Sequence, residues 1–176
     1  IALGESLIVA AHAVSSQERI LALIIVGGLS VLVTCLLWWS YFSWINEFLK
    51  EHLTTKSGKR QVILGRDAYS ILHFPLICGI IGIAVGFEKI MGHPSDALTI
   101  PVACALGGGY LFFVGFTALS VWRMSGMLLV PRILITIAST IGIAFSVGYQ
   151  PFIALIIIAL SLMLITFIEW KKCRHH

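Results

Sequence analysis

The stretch from Asp67 to Glu88 limits what this chain can fold into more than any other. It is 22 residues long, apolar in its interior, bracketed by acids and interrupted by His73. At about 1.5 Å of rise per residue it measures roughly 33 Å as a helix, enough to cross a bilayer core of about 30 Å. Lipid offers a histidine no hydrogen-bond partner, so His73 must meet another side chain or a water-filled cavity. Gly79, Gly82 and Gly86 recur at helical spacing and make a small-residue stripe that another backbone can approach closely. Pro75 removes one backbone donor beside His73 and is expected to kink the helix.

The rest of the chain has the same character. Charged residues make up only 11% of it, against about 25% in a soluble domain. The expected fold is therefore all-α, a polytopic transmembrane bundle forming one domain over residues 1–176. Six apolar segments can be read, at about 1–14, 20–44, 67–88, 98–122, 128–147 and 152–169. The first is too short to span, so it is expected to be the cut end of a longer helix. Only the connection from Lys50 to Arg66 is long and polar. Short connections elsewhere imply antiparallel neighbours. Gly148-Tyr149-Gln150-Pro151 reads as the turn between the last two spans.

Loop charge sets the expected orientation. With the Lys50–Arg66 connection on the cytoplasmic side, alternation places ten of the 12 Lys and Arg residues inside and leaves only Arg19 and Lys89 outside. The C-terminus is then cytoplasmic. Trp44, Trp122 and Trp170 all fall at inner ends of spans, where interfacial aromatics belong. The basic residues lie between apolar spans, so membrane lipids are the expected partner and nucleic acid is not. The four cysteines, at 35, 78, 104 and 173, form no Cys-x-x-Cys pair. Neither a metal site nor any other cofactor is expected.

The polar residues within the spans are the candidate relay or binding groups: Glu5, His73, Tyr41, Asp67 and Glu88. Glu5 sits in an apolar run, on the same helix face as His12. His73 lies about 9 Å from the inner end of its span, at the depth of Trp38, Trp39 and Tyr41. A tyrosine hydroxyl or an indole N–H is therefore an expected partner for it. Glu5 and Glu88 form an outer layer, Asp67 and His73 an inner one. Asp67 and Glu88 at span ends also fit ordinary solvated charges. Gly27, Gly28, Gly79, Gly82 and Gly86 are expected to pack helices.

Three motifs carry a family resemblance: Gly4-Glu5-Ser6, then Leu37-Trp38-Trp39-Ser40-Tyr41-Phe42, then His73-Phe74-Pro75-Leu76 with Gly79 and Gly86-Phe87-Glu88. In this order and spacing they resemble the bacterial low temperature requirement A family of inner-membrane proteins. The resemblance implies a bacterial inner-membrane location and the C-terminal half of a longer protein. An N-terminal half of the same chain then becomes a further partner, and self-association is an alternative left open. Where the family carries an acid after the Trp-Trp-x-Tyr-Phe motif, this chain reads Ser43-Trp44, with Glu47 further on.

Three functions compete. The first is transport or relay of a small solute, ion or proton, with Glu5 and His73 as the working groups. The second is a non-catalytic sensor or structural component, which the cold-growth name of the family fits equally. The third, a lipid-modifying enzyme, ranks lowest, since no His-x-x-x-His or Glu-x-x-His occurs.

Overall fold

The computed structural model describes residues 17–43 and 45–173. The first apolar segment, with Glu5 and His12, and Trp44 lie outside the described residues. What is described is helical: α1 (Gln17–Phe42), α2 (Ile45–Thr54), α3 (Gly58–Arg66), α4 (His73–Gly92), α5 (Ile100–Ser125), α6 (Val130–Phe145) and α7 (Pro151–Cys173). A single π-helical turn, Asp67–Ile71, joins α3 to α4.

Proline and glycine punctuate these helices as their backbone chemistry requires. Pro101 and Pro131 lie in the first turns of α5 and α6, and Pro151 opens α7, where a missing N–H costs nothing. Gly126 ends α5 at φ 78°, and its N–H donates to the Trp122 carbonyl at 2.7 Å, a left-handed cap that glycine adopts without strain. At the far end of the bundle, the Leu98 N–H donates to the Tyr149 carbonyl at 2.8 Å. The Gly148 N–H returns a bond to the Leu98 carbonyl at 2.9 Å. These two bonds tie the α4–α5 connection to the α6–α7 turn.

The helices form an arc in the order α4, α5, α6, α7, α1, each packing extensively on the next, while α1 and α4 touch only sparsely. The core is largely apolar, with Phe87, Leu106, Ile143, Leu155, Ile158 and Leu162 fully buried. The outer surface is apolar as well, Ile24, Leu160 and Phe145 being 64%, 61% and 78% exposed. An apolar exterior around an apolar core suits a helix bundle solvated by lipid. Among the described residues four helical runs are long and apolar enough to cross a membrane, and α6 is a shorter apolar helix.

The Lys50–Arg66 connection, long and polar by sequence, is mostly helical. It folds into α2 and α3, and the helical run that includes α4 begins at Gly58 instead of Asp67. Ile45, Leu49 and Leu53 recur every fourth residue and put one apolar face on α2. With Leu64 and Ala68 they pack against Ala118, Val121, Met124 and Leu129 in a second hydrophobic cluster. The charges on the opposite face make the segment read as a loop.

Candidate site at the seam of α1 and α4

The backbone ahead of α4 is shaped by Pro75. Its ring would press on the carbonyl four residues earlier in a regular helix. The chain widens just before it: the Leu72 N–H donates to the Asp67 carbonyl, five residues back, at 2.9 Å. The kink expected from Pro75 is thus taken up as a π turn, a form of local adjustment frequent at functional sites.

That turn carries Asp67 and Tyr69, and His73 follows at the start of α4. Asp67 is a fixed ionic junction. Its Oδ1 accepts from Arg66 at 2.9 Å and its Oδ2 accepts from Arg123 at 2.8 Å, so it ties this end of the α3–α4 run to α5. His73 is half-buried, its ring centroid 6.5 Å from that of Tyr41 at a tilt of 53°. Among the described residues no hydrogen bond joins His73 to Tyr41 or to either indole. The expected partnership becomes a tilted ring contact instead. Trp38 and Trp39 are 59% and 58% exposed. The Tyr69 hydroxyl is enclosed without a partner among the described residues.

His73 and Tyr41 line a groove of about 330 Å³ at the sparse α1–α4 seam. Its α1 wall is Thr34, Leu37, Trp38, Tyr41 and Phe42. Its α4 wall runs from His73 through Ile77 and Ile80 to Phe87, with Phe113 of α5 behind. Along α4 that is about 21 Å, most of a bilayer core. Among the described residues the lining is almost wholly hydrocarbon and aromatic ring, its polar side chains being Thr34, Trp38, Tyr41 and His73. Trp38, Phe42, Ile77 and Ile80 are exposed, so the groove opens sideways.

The remaining candidates separate. Glu88 is exposed near the opposite end of α4 from Asp67, and among the described residues no ion pair holds it. Gly79, Gly82 and Gly86 face α5. A Cβ at Gly79 would lie 2.6 Å from the Phe113 backbone nitrogen, one at Gly82 would lie 3.2 Å from the Ala105 carbonyl, and one at Gly86 would lie 2.5 Å from the Leu106 side chain. Gly109 answers from α5, 2.6 Å from the Gly79 carbonyl on the same construction. Gly27 and Gly28 do not pack in this way. A Cβ at either meets nothing within 4 Å, because α1 buries a different stripe, Val26, Ser30, Val33, Leu37 and Ser40.

One polar cluster has no counterpart in the sequence reading. Arg132 is 1% exposed at the start of α6. Its Nη1 donates to both carboxylate oxygens of Glu169 in α7 at 2.9 Å, and its Nη2 donates to Ser40 Oγ of α1 at 2.8 Å. Its Nε is buried without a partner among the described residues. Deeper in the bundle the Tyr110 hydroxyl meets Ser161 Oγ at 2.7 Å, joining α5 to α7. By sequence Arg132 counts as a loop charge and Glu169 as a span end. The available signal was that the two lie nearly equidistant from the Gly148–Pro151 turn, which an antiparallel hairpin brings to one level. Among the described residues no group of three or more His, Cys, Asp or Glu gathers as metal ligands would.

One protein-family model, described as Bacterial low temperature requirement A protein, matches residues 1–167. No curated protein and no solved structure matches the chain.

Proposed function

Since the chain belongs to the bacterial low temperature requirement A family, an integral membrane protein by its apolar helices, we propose that it binds and moves a small solute through the groove between α1 and α4. One observation carries this reading. A cavity of about 330 Å³, mostly apolar with a few polar groups, opens where the arc of described helices is least closed. Small-molecule sites have this build, hydrocarbon walls for affinity and sparse polar atoms for orientation. The solute that fits has an apolar body and one polar end, which His73 and Tyr41 receive. An imidazole can both donate and accept a proton, so coupling to protons through His73 and Glu5 is part of the proposal. The protein resides in the bacterial inner membrane with its C-terminus cytoplasmic.

A second reading, a structural or sensing component, draws support from the polar side chains buried between helices. Arg132 is bonded to Glu169 and Ser40, and Tyr110 to Ser161, so these groups join helices to one another. The two readings separate in one experiment. Small molecules that copurify with the full-length protein are identified by mass spectrometry, for the wild type and for Ile80→Trp. Ile80 lines the groove and is 41% exposed, so the indole fills the groove without disturbing the core. A solute present with the wild type and lost from Ile80→Trp is the expected result. Identical profiles leave the structural reading standing and remove the solute site.

A further inference from the structure

A second cavity lies at the end of the bundle where α2, α3 and α5 meet. It measures about 520 Å³ and is lined by His52 of α2, Lys56 of the following turn, Arg60 of α3 and Arg123 of α5. No acid lines it. Asp67 engages Nη2 of Arg123 from outside the cavity, leaving Nη1 and Nε of that guanidinium, and Glu51 is exposed on α2 without lining the cavity. The folding of the Lys50–Arg66 segment into two helices is what gathers these groups. As an extended loop it would scatter them in water.

We propose that this cavity binds the phosphate-bearing headgroup of an anionic phospholipid. Three cationic side chains converging on one concavity supply charge-assisted hydrogen bonds to phosphate oxygens, and His52, whose Nδ1 lies 3.0 Å from the Phe48 carbonyl oxygen, offers its other ring nitrogen. The negative end of the α5 dipole also points here, and Arg123 in its last turn offsets it. Trp122 lines the same cavity at 45% exposure, where the long apolar helix α5 ends, and an indole at that position marks the membrane interface. Basic groups set beside the ends of membrane helices attract anionic lipids. A lipid held by its phosphate can lay its chains on the exposed apolar flank of the bundle, which a free anion or a nucleic acid cannot use. That flank is the reason to assign a lipid.

The test follows thermal unfolding of the detergent-purified full-length protein with phosphatidylcholine, phosphatidylglycerol or inorganic phosphate added. Phosphatidylglycerol is expected to raise the unfolding temperature above that with phosphatidylcholine. The double variant Lys56→Gln/Arg60→Gln should fold, since Arg60 is exposed and Lys56 half-exposed, and should lose that difference, while Arg60→Lys keeps most of it. An equal response to the two lipids, or an undiminished response in the double variant, overturns the site. A rise with inorganic phosphate as large as that with phosphatidylglycerol overturns the lipid assignment in favour of a free anion. Displacement of phosphatidylglycerol by a short oligoribonucleotide overturns it in favour of nucleic acid.

Discussion

A guanidinium cannot be 1% exposed in so apolar a bundle unless its charge is met at close range. Arg132 is met by both oxygens of Glu169 and by Ser40, so one side chain pins α6 to α7 and to α1. Taking away one member of such a pair strands the other. Glu169→Ala is therefore expected to cost about 3–5 kcal/mol in unfolding free energy. Arg132→Met combined with Glu169→Leu should recover much of that loss. Equal losses in the single and double variants, measured by denaturant titration in detergent, would show that the two charges are not coupled. Charge alone did not make this pair legible, because arginines and acids at span ends are ordinarily solvated at the headgroups. His73 was legible as a polar residue needing company. Its actual environment, a tilted Tyr41 ring and an apolar groove, depends on how α1 meets α4, which no local pattern encodes.

At the scale of elements, helical spacing carried further. The Gly79, Gly82, Gly86 stripe was visible in the sequence, and α4 lays it against α5 closely enough for Gly79 and Gly109 to meet backbone to backbone. Gly79→Ala is expected to destabilise the protein by about 1–3 kcal/mol through overpacking. Gly108→Ala, whose Cβ meets nothing within 4 Å, should be neutral or stabilising by about 0.5–1 kcal/mol, since alanine suits a helix better. Equal thermal shifts for the two variants would mean that the α4–α5 approach is looser than described. The same logic misled at Gly27-Gly28, because a glycine pair says nothing about which face of α1 is turned inward. It also missed α2 and α3, where Leu49 and Leu53 were outweighed by the basic residues around them.

For the whole molecule, composition was enough to read an all-helical membrane bundle. The order of the arc was not, because apolar helices of similar length can be arranged in many ways and only side-chain fit selects among them. The proposed orientation puts the α2–α3 end in the cytoplasm. Ser57 lies exposed in the turn between those helices. Ser57→Cys, with the four native cysteines replaced, should resist a membrane-impermeant thiol reagent in intact cells and react once the membrane is opened. Labelling in intact cells would invert the topology.

The sparse α1–α4 seam, and the groove it leaves, is where the helix arc and its proposed use meet. The most direct measurement places a photocrosslinking amino acid at Ile77, in the groove, and separately at Phe145, which is 78% exposed on α6 and does not line it. Both variants are irradiated in cells, and the captured molecules are identified by mass spectrometry. A discrete small amphipathic molecule captured at Ile77, with only bulk phospholipid at Phe145, is the predicted result. Bulk phospholipid at both positions would contradict it and leave the seam an ordinary lipid-facing cleft.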